Sequence, residues 1–165
     1  MGDLVSSLLA FTTTFALLFI YSAFDIRVRK VPNQIMLVGG VIGVVVNVMS
    51  GHFCDNLLLH LFALVFALSI SYVLFQLGTF GGADAKALIS VAIISPGFEF
   101  IIWLNPLTEA IIATGIEVVV MLSLGHFWWY QAKIHNKETP SPPLIPLLLI
   151  GYTIIASFAT VVTFL

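Results

Sequence analysis

Residues 57–90, LLLHLFALVFALSISYVLFQLGTFGGADAKALIS, contain the pattern that decides the fold. A nearly uninterrupted apolar run is followed by a glycine-rich break, an aspartate, a lysine and the start of another apolar run. A run of about 20 apolar residues is long enough to cross a bilayer as a helix. The stretch therefore predicts two membrane helices joined by a short polar segment, with Asp84 where the second helix begins.

The rest of the chain has the same apolar character. Of its 165 residues, 60% are hydrophobic and only 8% are charged, and the mean hydropathy is +1.12. A soluble globular domain has about 25% charged residues, so this chain has too little polar sequence to cover a surface facing water. We infer an integral membrane protein, and no motif indicates nucleic-acid binding.

Six apolar segments predict an all-α polytopic membrane protein, a bundle of six transmembrane helices forming a single domain over residues 1–165. The first segment is expected to be retained as a span, because no basic region or clear cleavage site marks a signal peptide. The segments cover residues 4–24, 35–50, 57–78, 85–104, 107–130 and 144–165.

The fourth segment contains Pro96 and Gly97 in its middle. Proline removes a backbone donor and clashes with the preceding turn, so the helix either kinks there or ends near Ser95. We favour the shorter helix, with residues 98–104 as an outer loop or short helix and Glu99 in water.

In the second segment, Gly39 and Gly43 have the spacing of small residues at close helix contacts. Glycine is also common in membrane helices without such a contact, so both interpretations remain open.

The basic residues indicate how the chain crosses the membrane. In a six-span arrangement they all fall at one side, and an excess of Lys and Arg marks the cytoplasmic side. Both termini are then expected on the outer side, with Asp3, Asp55, Glu99 and Glu109 at or near it. The cytoplasmic linker would cover residues 131–143. The basic residues are Arg27, Arg29, Lys30, Lys86, Lys133 and Lys137.

Two carboxylates are expected at the cytoplasmic ends of helices, Asp25 at the end of the first span and Asp84 at the start of the fourth. Two close carboxylates cannot both ionise cheaply, so such a pair offers an acid and a base together. It can activate water for attack on a peptide carbonyl and protonate the leaving amine. Alternatively, Asp25 pairs with Arg27 or Arg29, and Asp84 is an acid favoured at a helix N-terminus.

The residues around Asp84 have possible supporting roles. Gly81 and Gly82 lack Cβ atoms, so the backbone can bend there or approach an extended substrate closely. Lys86 can bias the ionisation of the aspartates or pair with one of them.

With Asp25 followed by basic residues and VPN, and GGADAK opening a later span, the chain resembles the type IV prepilin peptidases and archaeal preflagellin peptidases, which are GxGD-type intramembrane aspartyl proteases. The resemblance covers most of the chain and implies that Asp25 and Asp84 are catalytic. Aligned on Asp84, the two motif glycines fall at Gly81 and Ala83, so alanine replaces the second glycine. Supporting or substrate-binding positions that match are Gly81, Gly82, Lys86, Arg27, Lys30 and Asn33, and Pro32 matches as well.

The resemblance also implies an activity and a location. Such enzymes are multi-pass proteins of the cell membrane that remove a short basic leader from pilin-like or archaellin-like precursors at the cytoplasmic face. The expected partners are that precursor and membrane lipid, with no cofactor and no metal. Because the chain has a single cysteine, Cys54, and no cysteine-rich insert, methylation of the new N-terminus is not expected.

Other interpretations of the same residues predict different activities. A small transporter or pilus-assembly subunit would use the carboxylates, with Glu117 inside the fifth span, to bind ions or relay protons. A pseudoenzyme would keep the fold to chaperone pilins. Glu117 can also be an inert buried acid. The four histidines lack metal-site spacing, and Trp128, Trp129 and Tyr130 fit an aromatic belt at the interface.

Overall fold

The computed structural model describes residues 2–98, 105–135 and 141–164, and these ranges contain seven helices and no strand. This confirms the all-α prediction. A four-residue helix between the second and third long helices was not predicted from the sequence. The helices are α1 Gly2–Val28, α2 Asn33–Ser50, α3 His52–Asp55, α4 Leu57–Gln76, α5 Gly82–Ile94, α6 Pro106–Ile134 and α7 Leu144–Phe164.

Four of the described helices, α1, α2, α4 and α6, are long and apolar enough to cross a membrane. In α7 the stretch Leu144–Ala159 is apolar but shorter. These helices identify a membrane protein with several spans. The count of six spans and the outward placement of the termini stay predictions.

The helix in the predicted fourth segment is the shorter of the two forms that the sequence allowed. Helix α5 has 13 residues and is therefore about 20 Å long, too short to cross a hydrocarbon core of about 30 Å. It ends at Ile94 because Pro96 cannot continue it, as the shorter of the two alternatives predicted. The expectations for residues 99–104, including Glu99, lie outside the described residues. The predicted linker is also shorter, since α6 continues to Ile134.

Helix α5 is the inner helix of the bundle. It packs against α1, α2, α4 and α7, while α6 packs against α4 and α7, and α1 packs against α2 and α7. Between Ala83 and Ile94 the only exposed residue of α5 is Lys86. This arrangement places the helix that carries Asp84 beside the helix that carries Asp25.

The two glycines of α2 make close helix contacts, as one of the two sequence interpretations predicted. Both are buried. A Cβ at Gly39 would collide with Tyr21 and Leu17 of α1, and a Cβ at Gly43 would collide with Ile94 of α5. Glycine at these positions therefore lets α2 approach α1 and α5 at once.

Polar side chains hold the C-terminal end of α5 inside the protein. The Asn47 amide of α2 donates to the carbonyl of Ile94, and the hydroxyls of Ser95 and Tyr152 are 2.7 Å apart. Beyond the proline, the Phe98 N–H donates to Glu109 Oε1 at 2.9 Å. Glu109 is buried, so its carboxyl satisfies a backbone donor in the bundle. Irregular backbone at membrane depth requires such partners.

The opposite end of the bundle brings together the end of α1, the beginnings of α2, α5 and α7, and the last turns of α6. Contacts between them are Arg29 with Ser141, Arg29 with Trp128 and Lys86 with Asn33. The basic residues of the described ranges all lie on these segments. This agrees with the sequence-based grouping; Lys137 lies outside the described residues.

Candidate active site

Asp25 lies in the last turn of α1, and only 8% of its surface is exposed. Its Oδ2 accepts a hydrogen bond from the Ile145 N–H at 3.4 Å. Ile145 is the second residue of α7, so its N–H is one of the helix-start donors that have no partner within their own helix. The buried carboxylate of α1 therefore caps α7.

Arg29 was one of the two arginines expected to pair with Asp25, and its side chain has other partners. Arg29 follows α1 with a positive φ of 56°, the left-handed conformation that stops a helix from continuing. Its Nη1 donates to the Ser141 carbonyl at 2.7 Å, and its guanidinium lies 5.9 Å from the centre of the Trp128 ring. Arg29 is thus engaged with the linker and α6, although its charge still acts on Asp25.

Asp84 is the third residue of α5, and its Oδ2 accepts from the Gly81 N–H at 2.8 Å. This contact is the one expected of a carboxylate that caps a helix start, where the helix dipole also favours negative charge. The helix-terminal interpretation of Asp84 therefore describes its local geometry. It is compatible with a catalytic role, because one oxygen, Oδ1, is not used in this bond.

The glycines before Asp84 were expected to let the backbone bend or approach a substrate, and their conformations differ. Gly81 has an ordinary φ of −79°, and the left-handed glycine of this loop is Gly78, with a φ of 71°. The chain therefore turns at Gly78. A Cβ on Gly81 would lie 3.0 Å from Asp84 Oδ2, whereas a Cβ on Gly82 would meet nothing within 4 Å. Gly81 leaves room for the carboxylate, and the space beside Gly82 is open.

The electrostatic environment of Asp84 depends on Asp25. Burial raises the pKa of Asp84 to about 6, the Gly81 N–H lowers it, and the nearby charge of Asp25 raises it. At a pH near or below 6, Asp84 can therefore hold a proton, which provides an acid beside a second carboxyl group, Asp25.

Lys86 and Asn33, both expected as supporting residues, contact each other. Lys86 Nζ donates to Asn33 Oδ1 at 2.6 Å. Lys86 is therefore directed toward α2, and Asp84 is not its hydrogen-bond partner. Arg27 and Lys30 are exposed, and no described contact joins them to either aspartate.

Glu117 is separate from this group. It is buried in the middle of α6, where a Cβ on Gly151 of α7 would lie 3.3 Å from its backbone. Trp128, which contacts the end of α1, is 11 residues further along α6, a rise of about 16 Å. The structure thus brings Asp25 and Asp84 near each other and leaves Glu117 at another depth.

Metal ligation is not supported in the described part of the chain. Residues 2–98, 105–135 and 141–164 contain no group of three His, Cys, Asp or Glu that could hold an ion. His52 and His60 instead pack edge to face, with ring centres 5.4 Å apart, at the end of the bundle away from the aspartates.

Two contacts of the site were missed from the sequence. One is the Ile145 N–H, because any residue except proline has that donor. The other is the Ser141 carbonyl that accepts from Arg29, because every residue has a backbone carbonyl. The only available signal was the position of the proline-rich stretch, residues 140–143, immediately before a predicted helix.

The model of the type IV leader peptidase family matches residues 12–165. No curated protein and no solved structure matches the chain. The family match covers Asp25, Asp84, α1 from Thr12 onward and all the later helices.

Proposed function

Because the chain belongs to the type IV leader peptidase family, we propose that it is a membrane aspartic endopeptidase. It removes the short basic leader from pilin-like or archaellin-like precursors at the cytoplasmic face of the cell membrane. The chain acts as one peptidase domain over residues 1–165, with the precursor and membrane lipid as its partners. The observation that carries the proposal is the packing of α5, which carries Asp84, against α1, which carries Asp25.

The proposed reaction divides between the two carboxyl groups. We assign the role of acid to Asp84, whose pKa burial raises to about 6, and the role of base to Asp25. Asp25 takes a proton from water as the water oxygen attacks the scissile carbonyl. Asp84 then gives its proton to the leaving nitrogen as the C–N bond breaks. The open space beside Gly82 supports an extended substrate segment next to Asp84.

The test is cleavage of a pilin-like precursor by the purified chain in lipid, compared with Asp25→Asn and Asp84→Asn. Each variant keeps the size of the side chain but cannot exchange the proton. We expect loss of the leader with the parent only, read by the mass of the product. Asp55→Asn is the matched control, because Asp55 is an exposed acid in α3 and the variant should cleave like the parent.

The transporter interpretation has less support. It requires acids along one continuous path, whereas Glu117 is about 16 Å along α6 from the level at which Trp128 meets α1. Proton flux into vesicles that disappears with Glu117→Gln, together with no cleavage of any precursor in a panel, would favour it over a peptidase. A chain that binds precursors without cleaving them would indicate the pseudoenzyme.

A further inference from the structure

The hydrogen bond from Lys86 to Asn33 joins α5 to α2 at the end of the bundle where the aspartates lie. At 2.6 Å it is a short bond with a charged donor, formed between two exposed side chains, and a charged donor strengthens a hydrogen bond. Asn33 is the first residue of α2 and follows Pro32, whose φ of −58° is fixed by its ring. The acceptor is therefore held on a rigid helix start.

Short stretches of chain connect this bond to both carboxylates. Lys86 is two residues after Asp84 in the same helix. Asn33 is eight residues after Asp25, and the connection between them contains the left-handed Arg29 and the buried Val31. The bond thus connects the two aspartates through two short stretches of chain and one side-chain contact.

We propose that Asn33 and Lys86 are positioning residues that fix the separation of Asp25 and Asp84. This inference rests on the proposed peptidase function. The bond also directs the Lys86 ammonium toward α2. Residues two apart on a helix do not face each other, so Lys86 held in this way does not neutralise Asp84. Neither residue needs to touch the substrate for this role.

The test is a double-mutant cycle with Asn33→Ala, Lys86→Met and the two combined. If the bond positions the aspartates, each single variant lowers kcat about tenfold, the size expected for losing a charged hydrogen bond, while KM changes little. The combined variant should be no slower than either single one, because both remove the same bond. Lys86→Arg, which keeps a cationic donor, should recover most of the rate.

Matched controls exclude general effects of the substitutions. Gln34→Ala removes an exposed amide from the next residue of α2, and Lys133→Met removes a cation from the end of α6. Both should cleave like the parent.

Three results would overturn the proposal. Additive losses in the cycle would show that the residues act independently. A rise in KM alone for Lys86→Met, absent for Asn33→Ala, would make Lys86 a substrate-binding residue. Coupling in thermal unfolding without coupling in kcat would leave the bond a structural contact only. A parent chain that cleaves no precursor would refute the peptidase function itself, and this inference with it. That outcome is recognised from the parent alone, whereas the other three require an active parent and differ only in the variants.

Discussion

Asp25 accepts a hydrogen bond from the N–H of Ile145, which lies 120 residues later in the chain. The bond joins the end of α1 to the start of α7. Asp84 makes the corresponding bond with Gly81 at the start of α5. Both carboxylates therefore stand at helix N-termini, where backbone donors and the helix dipole stabilise negative charge. This offsets part of the cost of burying two acids close together.

The first prediction separates the two roles of Asp25. Asp25→Asn keeps an oxygen that can accept from Ile145, whereas Asp25→Ala does not. Both should be inactive, but only the alanine variant should be less stable, by about 1 kcal/mol, the typical cost of losing a helix cap. Thermal unfolding in detergent beside the cleavage assay checks this. Equal stability of the two variants would show that the contact with α7 contributes nothing.

A second prediction concerns the pH dependence of cleavage. The pKa of Asp84 is about 6, so the proposed acid loses its proton, and kcat/KM falls, as pH rises through about 6. Gly81→Pro removes the N–H that stabilises the ionised carboxylate and raises the pKa of Asp84. The falling limb should then move to higher pH by about one unit, as expected for one charged hydrogen bond.

Gly81→Ala is the control for that experiment. It adds a Cβ at the same place, 3.0 Å from Asp84 Oδ2, but keeps the N–H. Its pH profile should stay with that of the parent, apart from any change in maximal rate. An equal shift in both variants would attribute the effect to crowding of the carboxylate.

The third prediction tests the close packing of α2. Gly43→Ala forces Ile94 to move and should destabilise the fold by about 1–3 kcal/mol, the usual cost of overpacking. Gly40→Ala should be neutral or slightly stabilising, because nothing lies within 4 Å of its Cβ.

Ile94→Ala removes the atoms that the new methyl at position 43 would meet. Combined with Gly43→Ala, it should cost less than the sum of the two single changes. Thermal unfolding of the four chains measures this coupling, and strict additivity would contradict direct contact.

The fourth prediction concerns Glu117. If this residue is structural, Glu117→Gln keeps its volume in the interior of α6 and should leave the rate of precursor cleavage within about twofold of the parent, an energy difference below 0.5 kcal/mol. The larger change Glu117→Lys should prevent stable folding, since it buries a cation without a partner. A loss of more than tenfold in Glu117→Gln, in a chain that still folds, would give Glu117 a part in the reaction.

The long apolar segments predicted most of the fold, because in a membrane protein their length reflects the thickness of the surrounding lipid. Pro96 also predicted the end of α5 near Ser95, because proline interrupts any helix. The contacts of the site were less predictable. Counting spans was enough to place Asp25 and Asp84 at the same level of the membrane. It could not reveal that the Ile145 N–H donates to Asp25, because a backbone N–H does not depend on the residue type.

The loop before Asp84 shows the same limit. GGAD suggested flexible glycines at 81 and 82, yet the left-handed conformation falls at Gly78. Where a loop turns depends on how α4 ends, with the N–H groups of Thr79 and Phe80 both donating to the Leu74 carbonyl. Likewise, the sequence suggested that Lys86 pairs with a nearby aspartate. In the structure its partner is the amide of Asn33, which is 53 residues away along the chain. Side-chain partners across helices depend on packing that spacing does not encode.

The shortness of α5 has a consequence for the lipid environment. Helices that cross a bilayer tilt when its thickness changes. The inner helix has only 13 residues, and Asn47 and Tyr152 hold its far end through hydrogen bonds inside the protein. The depth of Asp84 is therefore set by protein contacts. We expect its carboxyl group to keep its position when a change in membrane thickness tilts the surrounding helices.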